Sequence, residues 1–147
     1  MKKFSFPLEK LRGWREMQRQ AEESKLQALV SEQTSLIRMR QSLEEERRRV
    51  SAFVERAGLD SSELLAADRF RGHATRQEAR LAAAGRELDA RLGAQRKNVL
   101  EARQRVEALN HLRESQLTAW RAELDKEQEN LVAELVVARW KAAGSGL

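Results

Sequence analysis

Leu29, Leu36, Leu43, Val50 and Ala57 recur at every seventh position, and Leu8 lies three heptads before Leu29. That period constrains the chain more than any other feature. A strand would alternate, and a helix on a globular core would carry a wider apolar face; a seven-residue period is the seam of a coiled coil. A second stretch, Leu88, Leu92, Val99, Ala102, Val106 and Leu109, keeps the same three-and-four step and is interrupted at Gln95. Polar residues enter the first seam at Arg15, Gln18, Glu22 and Lys25, which predicts a looser pairing in the N-terminal half.

Between the two seams stands one set of turn signals. Gly58 suits the left-handed end of a helix, Asp60 or Ser61 suits the cap of the next, and Asp60 with Glu63 has the spacing of a capping box. Pro7 fits a first helical turn with Ser5 as its cap. The expected plan is all-α and a single coiled-coil domain over 1–147: a helix over 7–57, a turn at 58–61, a helix over 62–143 and a frayed tail at 144–147. A short separate helix near Ser62 to Phe70 is the alternative form of the restart. Gly72, Gly85 and Gly93 weaken the second helix and mark bends, close contacts or tolerated positions.

Facing residues of an antiparallel hairpin have position numbers with a constant sum. Leu8 with Leu109, Leu11 with Val106, Leu29 with Leu88, Leu36 with Leu81, Leu43 with Ala74, Val50 with Ala67 and Phe53 with Leu64 all add to 117. Half of that sum falls at the turn found independently. The predicted fold is an antiparallel coiled-coil hairpin whose second helix is longer and overhangs. At 1.5 Å per residue the arms come to about 76 Å and 125 Å. Residues beyond about Asn110 then lack a partner within the hairpin. They still carry a stripe of Leu117, Trp120, Leu124, Leu131, Leu135 and Ala138, with a phase shift near Trp120. An unpaired apolar stripe requires burial against something else.

Composition agrees with long solvated helices. Of 147 residues, 35% are charged and 5% aromatic, so there is little bulk for a compact core. No cysteine is present, which excludes a disulfide framework and thiol chemistry. His73 and His111 have no metal-ligand companion at helical spacing, and the carboxylates alternate with Lys and Arg as on a solvated face. With no phosphate loop and no cleft expected from two helices, the reading is a non-enzyme without cofactor or metal. The basic N-terminus is followed by no apolar signal region, and no run reaches the roughly 20 apolar residues of a membrane span. The expected location is cytoplasmic.

Charge is unevenly spread. The net charge is +5, with +6 between Arg69 and Arg105 and −4 between Val106 and Ala138. Basic residues interleaved with acids, and no aromatic stacking platform, argue against nucleic acid and for a solvated surface or one that meets acidic protein. Among the few aromatics, Phe53 has a seam partner in Leu64 and reads as core. Phe70 is off that register and reads as exposed. Phe4 and Phe6 precede the first helix, Trp14 and Trp120 fall near the open end, and Trp140 lies on the overhang.

Phe6-x-Leu8-x-x-Leu11-x-x-x-Arg15-Glu16 at the start, a long charged coil, and Arg105-Val106-Glu107-Ala108-Leu109-Asn110-His111-Leu112-Arg113-Glu114 together resemble the FliJ family of flagellar export proteins. Arg12 stands where the family often has a second apolar residue. The acidic pair common near the family's C-terminus is reduced to Glu134. The resemblance implies a component of the flagellar type III protein export apparatus, similar to the rotor shaft of F-type ATPases. It implies three partners: the hexameric export ATPase, whose pore takes the paired chain ends; the cytoplasmic domain of the membrane export gate, reached by the turn end; and, for some members, export chaperones. On that basis Phe4, Phe6, Leu8, Trp120, Leu124 and Leu131 are expected to face the ATPase, and Val50, Phe53 and Phe70 the gate. Membrane association would be indirect, at the cytoplasmic side. The competing readings are the equivalent stalk of a virulence secretion system and a homodimeric coiled-coil scaffold.

Overall fold

The computed structural model describes residues 2–56 and 58–145. Ala57, the last member of the first heptad row and the expected end of the first helix, lies outside the described residues, as do positions 146 and 147 of the expected tail. Two helices are present among the described residues, α1 (Glu9–Val54) and α2 (Ser61–Gly144), and no strand. The chain packs as two units, one of Gln18–Ala102 and one of Met1–Met17 with Arg103–Leu147.

Within the unit Gln18–Ala102 the helices are antiparallel. Glu22 bonds Gln95, Glu32 pairs with Arg91, Leu36 approaches Gly85, and Arg47 pairs with Glu78, so α1 ascends as α2 descends. The register passes through Glu22 and Gln95, whose numbers add to 117. Leu36 also approaches Gly85, one turn beyond the expected Leu81. A Cβ built on Gly85 would lie 3.4 Å from Leu36 Cδ2, so the missing side chain makes room for the leucine.

The turn explains its own sequence. The last turn of α1 tightens, with the Arg56 amide bonded to the Phe53 carbonyl, so the helix ends at Val54. Gly58 follows at φ 92°, a conformation L side chains rarely adopt. Asp60 is the cap of α2: its Oδ1 accepts from the Glu63 amide at 2.8 Å and from Ser62 Oγ at 2.7 Å. Those two bonds hold the Asp60 carboxyl below its ordinary pKa, the Ser62 hydroxyl contributing most. The restart is not a separate short helix, because α2 runs unbroken from Ser61.

The core of this unit belongs to α2. Ala67, Ala74, Leu88, Leu92, Gln95, Val99 and Ala102 are buried, whereas α1 has no buried residue. Leu29, Leu36, Leu43 and Val50 of α1 are half-buried. These α1 side chains stay partly open, since two helices cover each other on one side only.

Two seam expectations change. Phe53 and Leu64 are 40% and 48% exposed, while Val54 and Phe70 are half-buried. The second row of α1 follows Leu26, Gln33, Arg47 and Val54, one residue on from Lys25 and Phe53. The N-terminal part of the pairing is also not the looser one. Leu92 and Val99 are among the best covered residues, at a level where α1 offers Gln18, Arg19, Glu22, Glu23 and Leu26, all half-buried. Long polar side chains cover apolar surface with their aliphatic stems and keep their heads in water.

In the unit Met1–Met17 with Arg103–Leu147, α1 begins at Glu9 and not at Pro7. The Glu9 amide bonds the Phe6 carbonyl at 3.1 Å, which makes Pro7 the second residue of a turn before the helix. Residues 2–6 are non-helical.

Candidate partner-docking surfaces

The N-terminal segment lies along α2 within its unit. Glu9 is held by Arg12, with Arg12 Nη2 at 2.6 Å from its Oε1, and by Arg113, whose Nε lies 3.7 Å from Oε2. The Arg12 bond is the main reason that the Glu9 carboxyl sits below its ordinary pKa; the positive charge of Arg113 acts in the same direction. Arg12 also donates to Asn110 Oδ1 at 3.2 Å. The Arg113 guanidinium stands 5.7 Å from the centre of the Phe4 ring, and that ring is tilted 54° to Trp120 at 6.0 Å between centres. Both geometries fall in the range of favourable cation–π and tilted aromatic pairs.

This clasp lengthens the paired part of α2. From Glu9 to Phe4 the chain passes five residues while α2 passes the seven from Arg113 to Trp120, since extended backbone rises farther per residue than helix. Partners therefore reach about ten residues beyond Asn110. The site residues expected at this end separate accordingly. Phe4 and Trp120 are brought together and half-buried, Phe6 is buried, Leu124 is half-buried, and Leu8 is open at the edge. Leu131 is the one in the open segment.

From Asp125 to Ser145 every residue is exposed. Leu131, Val132, Leu135, Val136, Val137 and Trp140 range from 50% to 76% exposure. At 100° per residue these side chains point to nearly all sides of the helix, interrupted by Glu134 and Lys141 on one line and Arg139 on another. A helix apolar around most of its girth is ordinarily enclosed by other protein.

At the turn end Val50 and Phe70 are half-buried and Phe53 is open. Arg47 is engaged by Glu78 and reaches Thr75, and Arg49 pairs with Glu45. Arg69, Arg76 and Arg80 are exposed along α2 at spacings of seven and four, which puts them near one line with exposed His73.

Sequence reasoning missed two positions. Gln95 was read only as an interruption. It is buried and ties the helices, its Nε2 donating to the Glu22 carbonyl at 2.9 Å and to Glu22 Oε2 at 2.6 Å. That second bond is the leading cause of the lowered Glu22 pKa. Arg113 enters the sequence reading only as part of the stretch Arg105 to Glu114, with no role of its own. Its row of seven, Val106, Arg113 and Trp120, held the signal. Among the described residues no group of three or more His, Cys, Asp or Glu is placed to hold a metal, and no helix is long and apolar enough to cross a membrane. Comparison of the chain with protein-family models, with curated proteins and with solved structures finds no match.

Proposed function

We propose that the chain is a non-enzymatic stalk of the flagellar type III protein export apparatus, engaging the hexameric export ATPase with its C-terminal segment and the cytoplasmic domain of the export gate with its turn end. The reading rests on the resemblance of residues 6–16 and 105–114, joined by a long charged coil, to the FliJ family. The observation that supports it most is the segment after Leu124, apolar on most sides and uncovered in the isolated chain. A surrounding ring of subunits encloses such a helix; a single flat partner covers only one side. The turn end offers Phe53 beside exposed arginines, a surface matched to an acidic partner with an apolar pocket. Motility and a peripheral place at the cytoplasmic face of the membrane follow from this reading.

Hydrolysis of ATP by the export ATPase of the same organism, with and without the chain, tests the proposal. Stimulation together with more hexamer is expected, and removal of residues 125–147 should abolish both while leaving the Phe4–Trp120 clasp intact. Unchanged hydrolysis and assembly with the full chain would overturn it.

A further inference from the structure

The segment after Trp120 carries opposite charges at its two ends. Residues 121–130 hold Arg121 and Lys126 against Glu123, Asp125, Glu127 and Glu129, a balance of −2; Arg139 and Lys141 supply +2 a few turns later. Between the two blocks lies the uncovered apolar stretch centred on Leu131 and Leu135. Such a segment complements a reversed copy of itself, so we infer that residues 121–144 form an antiparallel interface between two copies of this chain.

The register follows from the seam. Leu124, Gln128, Leu131, Leu135, Ala138 and Ala142 share one face of α2 at steps of four and three. A two-fold axis at Ala133 maps this row onto itself: Leu131 comes opposite Leu135 of the second copy, Gln128 opposite Ala138, and Leu124 opposite Ala142. On one flank Lys141 then falls between Glu123 and Glu127 of the second copy. On the other, Arg139 falls near Asp125. A parallel pairing would set the acidic blocks against each other. Length agrees independently. The midpoint of 121–144 lies within one residue of the axis, so the overlap stops where Phe4 and Trp120 close the intrachain packing, and neither copy meets the other's N-terminal segment.

Two residues meet their own copies beside the axis, Val132 on one flank and Glu134 on the other. The Glu134 pair is the unfavourable contact of the interface. Val136, Val137 and Trp140 point away from the partner helix, so self-pairing covers the seam and leaves an outer apolar face. This interface uses the segment assigned above to the ATPase ring, so pairing belongs to the free chain and ring docking must open it; a chain that stimulates no ATPase still forms the pair.

Sedimentation equilibrium of the full chain across the micromolar range tests the association. A monomer–dimer equilibrium is expected, weakened by salt because the flanking pairs are exposed. Reversing the basic end with Arg139→Glu and Lys141→Glu should weaken self-association by about tenfold, as should reversing the acidic block with Glu123→Lys, Asp125→Lys and Glu127→Lys. Mixing the two variants should restore pairing, and Glu134→Gln should tighten it. All these positions are exposed, so circular dichroism should remain that of the parent. Orientation is read by cross-linking, which the absence of native cysteine makes clean. A mixture of Gln128→Cys and Ala138→Cys chains should form a mixed disulfide, while each alone forms little. A chain monomeric at all these concentrations, charge variants that fail to pair on mixing, or ready disulfides between two Gln128→Cys chains would each overturn the inference.

Discussion

Two stretches of the same helix differ in a way that hydrophobicity does not explain. Between Ala67 and Val106, α2 carries fifteen Asp, Glu, Lys and Arg residues among forty, and one row along it holds nearly all of the buried residues. Between Leu131 and Trp140 the helix is mostly apolar and wholly exposed. The first stretch has α1 or the N-terminal segment within its own unit to cover it. The second has no such cover among the described residues. Burial follows the partner and not the composition, so the more apolar stretch adds least to the stability of the isolated chain and is the one suited to association.

The contrast breaks most directly at its two leucines. Leu92, 1% exposed, is the largest fully buried side chain. Leu92→Ala should cost about 2–4 kcal/mol in urea unfolding followed by circular dichroism. In the same measurement, at concentrations low enough to keep the chain monomeric, Leu135→Ala should stay within about 0.5 kcal/mol of the parent. Equal losses at both positions would show the end segment to be folded against something within the chain.

Gln95 sharpens the comparison, because a polar residue lies buried within the covered row. Gln95→Ala takes the nearest donor from the Glu22 carboxylate, leaving it Lys25 at 3.4 Å, and should lower the urea midpoint in the same assay. Joint replacement, Glu22→Leu with Gln95→Leu, should recover most of that loss. It should also loosen the register, which a spin-label distance between the two helices would read as a broader distribution.

Next comes the cap. Asp60→Ala should lower the urea midpoint, because the Glu63 amide loses its acceptor. Asp60, Glu22 and Glu9 all have lowered carboxyl pKa values, so each favours the folded state when ionised. That contribution is complete above the unfolded values of about 4 and fades as pH falls through the lower folded ones. The urea midpoint should therefore hold from neutrality down to about pH 5 and decline below about pH 4. Asp60→Asn, which caps without titrating, should flatten part of the decline.

The smallest effect is a gain. A Cβ on Gly93 would meet nothing within 4 Å, so Gly93→Ala should raise stability by up to about 1 kcal/mol. Gly85→Ala, built against Leu36, should gain less. A thermal melt of the pair distinguishes an open helix face from a closed one.

How far the residues alone carried the reading varies along the chain. The heptad of Leu29, Leu36, Leu43 and Val50 and the turn at Gly58 and Asp60 were legible, because helical period and φ preference are local properties. The antiparallel sum of 117 followed from those two, and Glu22 with Gln95 falls on it. Phe53 and Phe70 were placed the wrong way round. A one-residue step in the second row is invisible where Lys25 and Leu26, or Phe53 and Val54, are adjacent candidates. The clasp of Phe4, Arg113 and Trp120 was legible only in part, since no periodicity governs the six residues before a helix.

Sequence by itself determined that this chain forms two helices, that a turn near Gly58 parts them, and in which direction the second returns. Backbone preferences and a seven-residue spacing suffice for that. Only tertiary structure decided which side chains are covered. Burial is a property of pairs, and the depth at which Leu92 lies, the opening left for Leu36 by Gly85 and the reach of Phe4 to Trp120 each depend on a residue many turns away. The segment after Leu124 has no such residue within the described chain, and its spacing alone does not say so.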